Sequence, residues 1–365
     1  MVTDHSVEGR IVALLDLDYF YAQVEQVRNP AIKGRPVVIV MPSIRENSGA
    51  VATCNYEARA MKIKSGMPLG LAKKLANENT VFINADKPYY EEVSQKVFDL
   101  VDFYCEKVEQ VSIDEAYFEL TNPLGYEKAK EVCEKIKKSI LVDLGLTCSI
   151  GIGPNKLVAK MACGVKKPDG LFIVKASDAE QFIAKHKIGD LFGVGPKGEE
   201  IFKAHGIHLV GEIKTHEKRE LIEWFKDAKG EQFYDFAFAI DNRPVEPNRE
   251  KQQISKMMTL RQDSSSFEEI KTSIDFLADL VFKEATRLKK SFKTASIVII
   301  TDRFETITKS KTKAQKIENF DDLCNMEYDL LREYLHDSFS KVRRVGVKVS
   351  NFGEETGLQK KLFEF

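Results

Sequence analysis

The apolar run Ile11-Val12-Ala13-Leu14-Leu15 stops abruptly at Asp16. A short unbroken run of this kind predicts a strand buried on both faces. From residue 10 to about 174, strand-like and helix-like patterns alternate. Short strands are expected at 37–40 and 50–55, helical stretches at 56–61 and 69–76, and an amphipathic helix over 89–104. Residues 108–113 read as a second apolar strand, in a hairpin, running into Asp114 and Glu115. Residues 127–144 carry Val132, Ile136, Ile140 and Leu144 at helical spacing, and 148–152 form a strand ended by Gly153-Pro154. The pattern is almost wholly helical from 175 to 241. Residues 241–253 (DNRPVEPNREKQQ) hold two prolines and no periodicity, which predicts a linker. The segment 255–352 reads strand–helix–strand–strand–helix–strand, with strands near 256–260, 295–301, 305–310 and 341–351 and helices near 267–290 and 320–336. Such a βαββαβ unit lays both helices on one face of a small sheet and leaves the other face free.

Composition narrows this picture only slightly. At 365 residues the chain has room for two to four domains. It is 43% hydrophobic and 30% charged, with a net charge of −1, so any affinity for a polyanion must come from local basic patches. The six cysteines are scattered without metal-ligand spacing, which argues against structural zinc and a disulfide framework and for free thiols in a reducing cytoplasm. The first ten residues are polar and no run of eighteen apolar residues occurs, so neither a signal peptide nor a membrane span is expected.

The chemistry lies where the two apolar strands meet acid. Asp16-Leu17-Asp18 and Asp114-Glu115 are about a hundred residues apart. Carboxylates brought together repel and raise one another's pKa. A divalent cation removes that cost, and oxygen-only ligand sets suit Mg²⁺, which leaves positions for water and phosphate. The reading is a two-metal phosphoryl-transfer centre. A lone DxD is more often a solvated strand end, so the surrounding text has to carry the weight.

It does. The strings DLDYFYAQVEQV, GAVATCNYEARAMKIKSGMP, SIDEAYFEL and SIGIGPNKLVAKMACGVKKPDG, in that order, closely resemble the Y-family translesion DNA polymerases, nearest to the DinB-like branch in its archaeal form. The resemblance runs from about residue 10 to about 352. It implies an α/β multidomain fold with the right-hand arrangement: palm (1–19 and 86–174), fingers (20–85), a helical thumb with a helix–hairpin–helix (175–241), a linker (242–253), a βαββαβ little finger (254–352) and a tail (353–365).

The resemblance also implies roles. Asp16, the Leu17 carbonyl, Asp114 and Glu115 would hold two Mg²⁺ ions, with Glu115 near the primer 3′-hydroxyl; Asp18 is left as a supporting or structural residue. Tyr21 would exclude a 2′-hydroxyl from the deoxynucleotide site. Tyr56 and Arg59, three apart on a helix, would reach one triphosphate, and Lys167 would meet the β,γ-phosphates. The turn Gly193-Val194-Gly195-Pro196-Lys197 resembles a phosphate-binding hairpin, with Phe192 where the family often has proline. In the last domain Arg343, Arg344 and Lys348 are the DNA-facing candidates, joined by Arg261 and residues 309–313. Residues 254–352 carry 18 basic against 15 acidic side chains, so the domain is not broadly basic.

The expected reaction is template-directed addition of deoxynucleotides to primer-template DNA, with low fidelity and no proofreading, by a cytoplasmic monomer. Two alternatives stay open: a nucleotidyl cyclase built on a palm, and a non-catalytic DNA-clamping protein. Gln359, Leu362 and Phe365 have the glutamine, +3 aliphatic, +6 aromatic spacing of a sliding-clamp-binding segment.

Overall fold

The structure, a computed structural model, describes residues 10–45, 48–120, 125–247, 250–317 and 319–353. Contacts divide it into two compact units. One is built on the chain up to Met41 and from Ala50 to the linker; the other on Pro42–Gly49 and the chain from Glu250 onward.

In the first unit the opening apolar run is β1 (Val12–Leu17), and the turn after it starts α1 (Phe20–Arg28). A three-stranded sheet follows from β2 (Val37–Pro42), β3 (Gly49–Cys54) and β4 (Val81–Asn84), with α2 (Tyr56–Ala60) and α3 (Leu69–Leu75) between β3 and β4. The chain returns through α4 (Lys87–Tyr104), β5 (Val108–Gln110), β6 (Glu115–Glu119), α5 (Gly125–Leu144), β7 (Cys148–Gly153), α6 (Lys156–Val165) and β8 (Leu171–Ile173). These strands and β1 make a five-stranded sheet in the order β5-β6-β1-β7-β8. β1 is therefore central, which is why its sequence is apolar without alternation. α4 and α5 cover one face through Val97, Val101, Cys133, Ile136 and Ile140.

α6 lies on the other face at backbone distance. A Cβ added at Gly151 of β7 would meet the Ala159 carbonyl oxygen and the Cys163 nitrogen at 2.2 Å each, so no side chain fits there. Val158, which lies against Gly153 of β7, and Leu157, Met161 and Ala162 of α6 also continue into a core shared with Ile183, Phe202, Phe233 and Phe236. Those belong to the helical region α7 (Ala176–Ala184), α8 (Pro196–Ala204), α9 (Lys218–Phe225) and α10 (Asp227–Ala237).

The second unit is β9 (Gln253–Ser264), α11 (Phe267–Arg287), β10 (Ser291–Thr301), β11 (Thr306–Ile317), α12 (Phe320–Asp337) and β12 (Val342–Gly353). Its sheet has the order β11-β10-β12-β9, and the paired strands are antiparallel. Val345, Val347 and Val349 of β12 meet Ile274, Leu277, Leu330 and Leu331 of the helices. The βαββαβ order is the one read from the sequence. Within that core Glu327 of α12 is fully buried, and neither carboxylate oxygen has a hydrogen-bond partner.

Three expectations need correction. Residues 108–113 are not one strand: β5 ends at Gln110 and pairs back on β6, so Asp114 sits in the hairpin loop and Glu115 opens the second strand. The linker is not wholly solvated. Val245 is buried with Val12, Leu14, Tyr117, Ala159 and Cys163. The Asp241 carboxylate accepts the Leu157 amide at 2.9 Å, and Glu109, itself buried in an ion pair with Lys156, accepts the Glu246 amide at 2.8 Å. β9 already begins at Gln253. Finally, Lys309, Lys311 and Lys313 are turned to α12, where they pair with Glu333 and Asp337, Asp329, and Asp322. All six cysteines are buried and unpaired. No helix among the described residues is long and apolar enough to cross a membrane.

Candidate active site

The strand ladder brings the distant carboxylates together. Asp16 of β1 stands opposite Glu115 of β6, and the Leu17 amide donates to the Asp114 carbonyl at 2.9 Å. The Ser112 hydroxyl donates to the Asp114 carboxylate at 2.6 Å. Two lysines answer the charge: Lys167 pairs with Asp16 and Lys160 with Glu115. Burial pushes the Asp16 carboxyl above its usual range; Lys167 opposes that rise, while the charges of Asp114 and Glu115 add to it.

Among the described residues no three acidic, histidine or cysteine side chains already converge as a metal cage. The donors gathered here are nonetheless all oxygen, three carboxylates and the Leu17 carbonyl. The two ammonium groups mark where positive charge is stabilised. That set fits a hard divalent cation.

A cavity of about 370 Å³ opens beside the cluster, lined among others by Asp16, Leu17, Tyr21, Tyr56, Arg59, Asp114 and Lys167. Tyr56 and Arg59 come from α2, which Asn55 caps by accepting the Ala58 amide at 3.1 Å. The Arg59 guanidinium lies 4.9 Å from the Tyr56 ring centroid, and its Nε donates to the Cys54 carbonyl at 3.1 Å. The tight passage from β1 to α1 puts Tyr19 at φ +37°, a left-handed conformation for a non-glycine residue, and turns its ring edge-on to Tyr56. Asp18 does not line the cavity. Its buried carboxylate accepts from the Thr147 and Ser149 hydroxyls at 2.9 and 2.8 Å and from the Asp169 amide at 2.8 Å. It thereby ties the loop carrying Lys167 to the strand carrying Asp16.

Known proteins resemble this chain in sequence and fold. The model of the impB/mucB/samB family matches residues 15–164, and the model of that family's C-terminal domain matches 251–362. DNA polymerase IV of Methanosarcina acetivorans is 36% identical over 98% of this chain and 99% of its own. DNA polymerase IV of Saccharolobus solfataricus is 34% identical over 96% and 99%. Among solved structures, the Y-family DNA polymerase chimera Dbh-Dpo4(243-245)-Dbh superposes with a TM-score of 0.88 at 31% identity, covering 94% of this chain and 99% of that one. An insertion ternary complex of Dbh DNA polymerase matches with a TM-score of 0.69 over the same shares. The chain belongs to the Y-family of translesion DNA polymerases.

Y-family polymerases work with divalent metal ions by a two-metal mechanism, in keeping with the carboxylates of this one. Of the residues assigned from its sequence to metal and nucleotide, all but Glu115 line the cavity, and Glu115 adjoins it across the ladder from Asp16. Sequence reasoning missed Lys160. The available signal was its spacing from Lys156: the two stand four apart on an otherwise apolar helix, and each reaches an acid, Lys156 to Glu109 and Lys160 to Glu115. Tyr19 was missed as well, and nothing in the sequence marks its conformation.

The polymerase places its DNA-facing candidates elsewhere. Gly193 has φ +88°, a conformation that favours glycine, and Gly195 is the N-cap of α8, with Pro196 in its first turn. Lys197 is exposed at the same helix start. In the second unit Arg344 and Lys348 stand two pairs apart on β12, opposite Ile300 and Ser296 of β10. Beyond Ser296, in register, lies Ser310. This face is turned away from the valines that meet the helices. The Arg344 Nε is screened from solvent and has no partner. Arg343, at a break in strand register, turns instead toward Asp263 at 3.8 Å and the Phe304 ring. Gln359, Leu362 and Phe365 lie outside the described residues.

Proposed function

We propose that this polymerase extends a primer by in-line attack of its 3′-hydroxyl on the α-phosphate of a deoxynucleoside triphosphate. The observation that carries the reading is the convergence of Asp16, Leu17, Tyr21, Tyr56, Arg59, Asp114 and Lys167 on one cavity. Asp16, Asp114, Glu115 and the Leu17 carbonyl hold two Mg²⁺ ions. When bound there, these ions stabilise the attacking and leaving oxygens. Arg59 grips the triphosphate with its planar fork, and Tyr56 donates from the same face of α2. Lys167, paired with Asp16 in this structure, turns to the β,γ-phosphates and neutralises the leaving pyrophosphate. Tyr21 lies under the sugar and excludes a 2′-hydroxyl.

The α8 amides behind Gly193 and Gly195, Lys197, and the Arg344–Lys348 face hold primer-template DNA through its phosphates, without reading sequence. The Dbh ternary complex supports DNA and nucleotide as joint ligands. The enzyme acts as a cytoplasmic monomer, and the Gln359, Leu362, Phe365 segment tethers it to a sliding clamp.

Primer extension with Mg²⁺ and with a chelator tests the centre. Asp114→Ala should abolish incorporation while leaving DNA affinity nearly intact, because duplex binding arises from phosphate contacts elsewhere. Extension within tenfold of the parent at saturating Mg²⁺ would sink the assignment. Untemplated cyclisation of a nucleotide, or DNA binding without extension, would favour the other two classes.

A further inference from the structure

Tyr21 does not stand alone. Its ring stacks on Tyr90 with centroids 4.4 Å apart and planes 20° from parallel. Tyr90 belongs to the first turn of α4, is fully buried, and donates its hydroxyl to Glu25 at 2.8 Å. Tyr21 and Glu25 are four apart on α1 and so share one helix face. One helix therefore grips both ends of the Tyr90 side chain, with Tyr21 on the ring and Glu25 on the hydroxyl. The grip is closed outside by Arg28, which pairs with Asp86 at 3.0 Å and reaches Glu25 at 3.9 Å. Asp86 is the residue that caps α4 just before Tyr90.

A half-buried phenol ring can rotate or slide, and a wall that yields by an ångström no longer discriminates between a hydrogen and a hydroxyl. Among the described residues Tyr21 has one other aromatic neighbour, Phe20, at 5.6 Å and tilted by 50°, which offers no flat support. Tyr90 supplies a flat, immobile backing whose own position is set by a buried hydrogen bond. Glu25 is 6% exposed and, among the described residues, has no stronger cationic partner than Arg28 at 3.9 Å. Losing the Tyr90 hydroxyl would thus leave a buried carboxylate poorly satisfied, at real cost.

We propose that Tyr90, held by Glu25, is a positioning residue for sugar selection: it fixes the plane of Tyr21 against the nucleotide. The inference rests on the reading of Tyr21 as the sugar-excluding side chain. A stack of this kind is worth up to about one decade in an equilibrium, so removing it should lower the preference for deoxynucleotides by about two- to tenfold.

The test measures kcat/KM for a deoxynucleoside triphosphate and its ribonucleoside counterpart on the full chain with primer-template DNA. Tyr90→Leu should lower the ratio about two- to tenfold, chiefly by raising ribonucleotide use. Tyr90→Phe, which keeps the ring and orphans Glu25, should fall between Tyr90→Leu and the parent. Glu25→Gln, which keeps an acceptor, should retain the parental ratio. A merely structural role would depress both nucleotides together and leave the ratio alone. Tyr21→Ala should collapse the ratio, and adding Tyr90→Leu to it should change nothing more. If Tyr21→Ala collapses discrimination while Tyr90→Leu keeps the parental ratio, only the positioning role falls. If Tyr21→Ala itself leaves the ratio unchanged, the sugar-excluding reading and this inference fall together.

Discussion

Glu327 is a carboxylic acid placed where an apolar residue belongs. It is fully buried between α12 and the sheet, and neither oxygen finds a hydrogen-bond partner. Burial pushes its pKa from 4.5 up to about 8, offset only in part by the Ser296 amide nearby. The sign follows from linkage. A carboxyl whose pKa is raised on folding is neutral in both states at low pH and carries no ionisation penalty there, only the pH-independent cost of burying an unsatisfied polar group. As pH rises above 4.5 the unfolded chain ionises and the folded one does not, so stability is lost steadily until the folded group also ionises, near 8. Each pH unit in that window costs about 1.4 kcal/mol. The penalty is therefore below about 1 kcal/mol at pH 5, about 3 at pH 7 and approaches 5 beyond pH 8.

Glu327→Met replaces the acid with an unbranched apolar chain of similar length, and the second unit should gain about 3 kcal/mol at pH 7. Hydrogen exchange of α12 and β10 amides in the full chain reads this locally, with parent and variant compared at each pH so that intrinsic exchange rates cancel. The expected result is a modest gap at pH 5, from the unsatisfied neutral carboxyl, that widens by about 2–3 kcal/mol toward pH 7 and further toward pH 8. A gap of the same size at both pH values would mean that the buried carboxyl does not titrate as argued, and the reasoning would fail.

The buried pair Lys156–Glu109 gives an opposite case. Lys156→Met alone should cost about 3–5 kcal/mol by leaving Glu109 unpaired, while Lys156→Met with Glu109→Met should recover most of it; equal melting temperatures for single and double variants would refute the pairing argument. Deleting residues 357–365 should remove stimulation by a sliding clamp without changing extension in its absence. Clamp stimulation that survives the deletion would show that the tail is not the tether.

Much of the site was legible because its parts are local strings with fixed spacing. Asp16, Asp114, Tyr56, Arg59 and Lys167 each sit in a run whose neighbours dictate a strand end, a capped helix or a loop. The fold class followed from the same periodicities, and the βαββαβ order of the second unit from its alternation of short and long apolar patterns. What escaped depends on partners far away in sequence. One valine in a polar, proline-bearing stretch does not announce that Val245 packs on β1 and β6, since composition averages over the residue that matters. Lys309 to Lys313 read as a basic strand, but alternation alone does not say which side of β11 faces an acidic helix. Tyr90 and Glu25 are an ordinary tyrosine and an ordinary glutamate until α1 and α4 are brought together. Glu327 breaks the apolar pattern of α12 without a motif around it, so the sequence offers only an amphipathic helix with one acid on the wrong side.

The buried cysteines have a practical consequence. Burial raises every one of the six thiols above its ordinary pKa, so thiolate is scarce and reagents cannot reach it. A maleimide dye would therefore ignore the native chain and attach to a cysteine installed at an exposed position such as Phe339. No cysteine-free background has to be built first, with its six altered buried positions. One fluorophore there and one on the primer would let a single molecule be watched as it adds successive nucleotides.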